Sequence, residues 1–212
     1  MTTTTKNISS TFDIVNPKYK PLVYAGVIAT GLAVGAVFVP IESIKIIGLT
    51  VLTGVSYGIA NDMIACRDCI EYFTVGHKYD GLELRNRPLK TLNPNLNAIV
   101  WGMIATWHVC SIAGSFFALI ARYPFRGLAL KISAVQLAPY LAFGATLTVI
   151  LAHVNARIAQ KLPFSNWRVP HELQAGWEAC NARNLTGYVV LGIGGIALSV
   201  AMIAARARLI RL

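Results

Sequence analysis

Runs of about twenty residues almost free of charge recur along this chain, a pattern that belongs to polypeptides crossing a bilayer. A crossing takes roughly 20 mainly apolar residues at 1.5 Å rise each, and residues 21–40, 96–121, 131–153 and 186–205 meet that requirement. Residues 43–62 form a weaker candidate: Lys45 lies near the start, on a stem long enough to carry its amine to the headgroups, and Thr50, Thr53 and Ser56 lie inside. With 55% hydrophobic and 13% charged residues, the chain has the balance of a polytopic membrane protein. The expected fold is all-α, a polytopic transmembrane helical bundle of five spans, with four as the alternative. Pro139 predicts a kink in the span 131–153.

Residues 1–20 read as a polar, Thr-rich tail without the apolar core of a signal peptide, residues 21–205 as the bundle, and 206–212 as a basic tail. Close packing in lipid depends on small residues four apart, and Gly102, Thr106, Cys110, Gly114 and Ala118 make such a ridge. That ridge predicts contact with a neighbouring helix. Gly54 with Gly58, and Gly31 with Gly35, repeat the device.

Alternate loops of a helical bundle share one side of the membrane, so loops 63–95 and 154–185 define a single polar face. The concentrated polar chemistry falls there: Asp62, Cys66, Cys69, Glu71 and His77 from one, and His153, Asn155, His171, Trp177, Cys180 and Asn181 from the other. Of the 19 Lys and Arg, the dense clusters near span ends, Arg122, Arg126 and Lys131 with Arg206, Arg208 and Arg211, lie on the opposite side. A plain count of Lys and Arg favours the polar face as the cytoplasmic one, whereas short, dense clusters near span ends mark the cytoplasmic side and favour the polar face outside. The formal charge of +10 is spread through tails and loops, without the basic and aromatic runs of a nucleic-acid groove, and is read as topology and anionic-lipid contact. Expected partners are the bilayer, with a partner membrane protein or a second copy of the chain.

The stretch 59–80, IANDMIACRDCIEYFTVGHKYD, is the densest in reactive types. A metal site needs three or four N, O or S ligands, and Asp62, Glu71, His77, His153 and His171 are types that suit zinc or iron, with Glu71 and His77 the preferred pair. On a continuous helix Asp62 and Glu71, nine residues apart, face opposite ways, so one ion would hold both only across a helix break. The alternative is structural: Glu71 pairs with Arg67 one turn back, Asp62 bonds within an interface, and His77 is a loop residue. Cys66-Arg67-Asp68-Cys69 is a CxxC in which the basic residue would lower a thiol pKa, as in membrane proteins that pass disulfide electrons to a quinone. It lacks the strand–turn–helix setting and the second cysteine pair of such enzymes. His108, beside Trp107 halfway along a span, reads either as a proton relay or ligand contact or as a neutral imidazole bonded to the next helix. Trp101, Trp167 and Trp177, with Tyr24, Tyr72 and Tyr188, read as interfacial belt residues. A Gly-rich phosphate loop, an HExxH and a nucleophile elbow are missing.

Tyr57-Gly58-Ile59, Asp62, Glu71-Tyr72-Phe73-Thr74, His77, Trp101-Gly102, Ala105-Thr106-Trp107 and Ala121-Arg122 keep an order and spacing in which the chain resembles a family of uncharacterised bacterial integral membrane proteins. The resemblance covers residues 57–122 and implies four helices, with 21–40 an addition, and a bacterial inner membrane. Asn61 and Met63 stand where that pattern more often has His and Gln, and His108 where a second Trp is common. The resemblance implies no activity.

The expectation is thus an integral membrane protein of unassigned activity whose polar face binds an ion, small ligand or partner protein. A membrane enzyme with metal or thiol chemistry is the alternative, and a transporter subunit, which needs a polar track through the bilayer, comes third.

Overall fold

The computed structural model describes residues 40–74, 92–125, 128, 130–162 and 169–211, and among them every regular element is helical. Helix α1 spans Ile41–Asp68, the short α2 Ile70–Thr74, α3 Pro94–Arg122, α4 Ala134–Ala159 and α5 Gln174–Arg206, the last preceded by a 3-10 turn at His171–Leu173. Glu42–Leu212 forms one compact unit, and all the contacts discussed below lie within it. Helices α1, α3, α4 and α5 are long and apolar enough to cross a membrane. The expected span 21–40 and the tail before it lie outside the described residues.

Local chemistry sets the helix starts. Asn93 caps α3, its side chain accepting from the N–H groups of Asn95 (3.0 Å) and Leu96 (3.1 Å), with Pro94 at the first helical position where no N–H is needed. Ser133 and Gln136 form a capping box at the start of α4. Helix α4 runs on through Pro139 to Ala159. At the same end Glu42 accepts from Lys45 (2.7 Å) and from the Ala134 N–H (3.3 Å), joining the starts of α1 and α4.

All four long helices overrun the spans expected from hydropathy. The expected 43–62 is Ile41–Asp68, 96–121 is Pro94–Arg122, 131–153 is Ala134–Ala159, and 186–205 is Gln174–Arg206. Much of the expected loops 63–95 and 154–185 is therefore helix, and Asp62 sits inside α1 instead of at its end. Hydropathy measures the apolar part of a helix, whereas a helix continues as long as its polar side chains find partners inside the bundle.

The small-residue ridge of α3 is the surface that meets α1. A methyl group at Gly58 would lie 2.6 Å from the Gly102 carbonyl oxygen, one at Gly102 2.5 Å from the Ile59 nitrogen, and one at Gly114 3.0 Å from the Ile47 Cα. Residue numbers fall along α3 as they rise along α1, so the pair is antiparallel and its backbones nearly touch, as packing without a hydrophobic drive requires. Cys110, whose Sγ lies over Gly54, is a rung of that ridge. Thr50, Thr106, Thr148 and Ser199 donate to the carbonyl one turn back in their own helix, so these hydroxyls provide no polar track through the bundle.

Two apolar clusters sit at opposite ends. One gathers Ile46, Phe117, Ile132, Leu137 and Met202, the other Ala65, Phe73, Ala98, Val169 and Trp177. At the first end Arg206, 1% exposed, donates to the carbonyls of Ile120, Tyr123 (2.7 Å), Leu128 (3.0 Å) and Leu130 (2.6 Å). It thereby satisfies the last carbonyl groups of α3 and the turn that follows. Reading Arg206 as a basic tail residue is corrected: it is a buried cap.

Candidate functional site

The second end holds the polar chemistry, and its centre is Arg183. This guanidinium is fully buried on α5 and closes on Asp68, the last residue of α1, with Nε 3.2 Å and Nη2 2.7 Å from Oδ2. Nη2 also lies 3.3 Å from Nδ1 of His153 on α4. Arginine only donates, so His153 accepts at Nδ1 and carries its proton on Nε2. Three helices thus meet on one cation. The remaining nitrogen, Nη1, is buried without a hydrogen-bond partner among the described residues.

Close approach of α1 and α5 makes this geometry possible. A methyl group at Gly176 would fall 2.4 Å from the Asp68 carbonyl oxygen, and one at Gly187 2.2 Å from the Tyr57 hydroxyl. Between them the Cys180 thiol rests 3.5 Å from the Ala65 carbonyl oxygen. Tyr57 lies within electrostatic reach of both Asp62 and Arg183. Asn61 donates from Nδ2 to Asp62 Oδ1 at 3.2 Å, and its own Oδ1 is buried without a partner among the described residues. Asn184, next to Arg183, donates to the Tyr72 hydroxyl (3.0 Å), and the Tyr72 ring meets Trp177 edge to face at 4.8 Å. Asn155 reaches from α4 to Thr186 at 2.8 Å.

The expected site residues divide. His153 belongs to the Arg183 cluster, whereas Asp62 is buried on α1 with Asn61 as its partner. Trp177 is 1% exposed, so it is a core residue and the belt reading is corrected. Tyr72 is half-buried, and Trp101 donates to the Phe73 carbonyl oxygen at 3.0 Å. Asn181 is exposed and bonds Glu178 at 3.3 Å. His171 is exposed at the rim of a cleft that it shares with Gln160, Gln174 and Glu178. His108 faces outward from α3 with Nδ1 3.1 Å from the Ile104 carbonyl oxygen of its own helix, so neither a relay inside the bundle nor a bond to the next helix describes it. His77 and Trp167 lie outside the described residues.

A break at Cys69 does separate Asp62 from Glu71, yet among the described residues no three His, Cys, Asp or Glu side chains are placed to hold a metal ion. The Arg67–Glu71 pairing is corrected too. Arg67 donates to the Met63 carbonyl and to Asn95 Oδ1 (2.7 Å), while Glu71 Oε2 lies 3.7 Å from Cys69 Sγ. Cys66, Cys69 and Cys180 are free thiols, 3%, 4% and 1% exposed. Burial foremost, with the Glu71 carboxylate adding, pushes the Cys69 thiol up to about 11, opposite to the activation expected of a CxxC flanking an arginine.

Sequence reasoning missed Arg183 and Asp68 as partners. Arg183 counted only as a loop cation, because the expected last span began at 186. The available signal was a lone arginine leading directly into an apolar run, which demands an acid on a neighbouring helix.

Fold and site define a helical bundle with, among the described residues, four helices of membrane-crossing length and an ion pair buried at one end. No protein-family model, curated protein or solved structure matches the chain.

Proposed function

We propose that the chain is a multi-pass protein of the cell membrane, with residues 21–40 adding a fifth span, and that it binds a small ligand or ion at the cluster of Asp68, His153 and Arg183. The membrane assignment rests on the four long helices and on large apolar side chains such as Leu52, Ile112, Phe143 and Ile193 that are exposed on them. A bacterial inner membrane rests on the resemblance at residues 57–122.

One observation carries the binding reading: Arg183 Nη1, a buried donor on a permanent cation, has no acceptor among the described residues. Leaving such a group unsatisfied costs about 1–3 kcal/mol or more. Nε and Nη2 join Asp68 and His153, which leaves Nη1 as the donor open to a third partner. A ligand oxygen, from a carboxylate, a phosphate or another small anion, supplies what Nη1 lacks and uses the fork geometry of the guanidinium. The enzyme reading has less behind it, since Cys66, Cys69 and Cys180 are buried.

The test is thermal denaturation in detergent with increasing formate, acetate or phosphate. Ionic strength is held constant with a bulky sulfonate. A saturable rise in melting temperature for the wild type, lost in Arg183→Lys, supports the reading. A flat response to every small anion removes it.

A further inference from the structure

The opposite end of the bundle carries a second cleft, between the start of α4 and the chain that follows α5. Lys131, Gln136 and Arg211 supply its polar rim, and Ile132, Ala205 and Ile210 its apolar wall. Lys131 and Arg211 are exposed and converge from separate segments. Among the described residues the one acid at this end is Glu42, whose two oxygens already accept from Lys45 and from the Ala134 N–H. The two cations in the cleft therefore have no carboxylate partner among the described residues. Arg122 and Arg206 lie close enough to each other to interact, so the surrounding field is positive as well.

Arg211 reaches the cleft through an unfavourable turn. After α5 ends at Arg206, Arg208 takes a left-handed backbone with φ 63°, and the N–H groups of Arg208 and Leu209 bond the carbonyls of Ala205 (3.0 Å) and Ala204 (2.9 Å). Such a position favours glycine, and here it closes the end of α5 as a left-handed cap. The reversal brings Ile210 and Arg211 back against the start of α4. Two exposed cations brought to one cleft, with no carboxylate between them among the described residues, point to an anionic ligand.

The level of the cleft names the source of that anion. It lies where α3 and α5 end and α4 begins, at the end of membrane-length helices, and Val135, 81% exposed, continues an apolar surface from its edge along α4. We propose that this cleft binds the phosphodiester headgroup of an anionic phospholipid, with Lys131 and Arg211 on the phosphate and the acyl chains along α4.

Native mass spectrometry of the full chain, released from micelles containing phosphatidylglycerol or phosphatidylcholine with the same acyl chains, tests this. The wild type is expected to retain phosphatidylglycerol several-fold more than phosphatidylcholine. Lys131→Gln with Arg211→Gln should bring the two lipids level, while Arg157→Gln, at the other end, should change nothing. Charge-conserving Lys131→Arg with Arg211→Lys should keep the preference, which separates lost charge from lost folding. Unchanged retention in the double Gln variant overturns the site. Displacement of phosphatidylglycerol by millimolar inorganic phosphate would show that the cleft takes a free anion and overturn the lipid assignment.

Discussion

Arg183 and Asp68 are 115 residues apart in the chain, and the guanidinium meets one carboxylate oxygen through two nitrogens, at 2.7 and 3.2 Å. The pair holds the end of α1 to the first third of α5. Removing one partner leaves the other charged, buried and alone, so Arg183→Gln or Asp68→Asn should each lower stability by roughly 3–5 kcal/mol. The double variant should lose less than the sum of the two. Denaturant titration of the four proteins in one detergent checks this, and strict additivity would show that the two groups do not act on each other.

The α1–α3 contact makes a contrasting prediction about glycine. Gly58→Ala and Gly102→Ala press a methyl group onto the facing backbone, which cannot retreat, and should cost roughly 1–3 kcal/mol. Gly144→Ala, with nothing within 4 Å, should instead stabilise α4 by about 0.5–1 kcal/mol. Melting temperatures that move the same way for all three would contradict the packing described.

Cys69 should behave as a hidden thiol. Its folded value near 11 lies above the ordinary 9, so the neutral form is favoured by folding, and that contribution is full below about 9 and lost as pH rises from 9 to 11. Alkylation of Cys69, followed by peptide mapping, should be slow at neutral pH and quicken about tenfold per pH unit toward 11. Rapid neutral labelling of the native protein, or a Cys66–Cys69 disulfide that cycles, would restore the redox reading.

Placement across the membrane is checked with introduced cysteines on a background freed of native thiols. Leu162→Cys follows α4 and Leu209→Cys follows α5, and both positions are well exposed, at 60% and 77%. An impermeant reagent should reach them from opposite sides. Labelling from one side would remove α5 as a span.

The bundle was legible because apolar length and small-residue spacing are local properties of the chain. Gly102, Thr106, Cys110 and Gly114 announced a close helix contact, and Gly54 and Gly58 answer it. Helix ends were less legible, since Asp68, Arg183 and His153 look like loop residues until their mutual satisfaction is seen. The metal and thiol readings grouped Asp62, Glu71, Cys66 and Cys69 by nearness in sequence. Their environments instead follow from which helix face each occupies: Arg67 turns to Asn95, and the thiols turn into the apolar cluster with Trp177. Arg206 shows the same lesson at the other end, where a tail cation proved to be a cap for carbonyl groups far earlier in the chain.

The central claim is that Arg183 serves a ligand in addition to the fold. Its most direct test is saturable binding of a small anion to purified protein in detergent, read by melting temperature at constant ionic strength, for the wild type, Arg183→Lys and His153→Gln. The account predicts a saturable upward shift in the wild type, abolished in Arg183→Lys and weakened in His153→Gln, which loses the ring nitrogen facing Nη2. Identical responses in all three proteins, or none in any, would contradict it and leave the buried pair as a strut between α1 and α5.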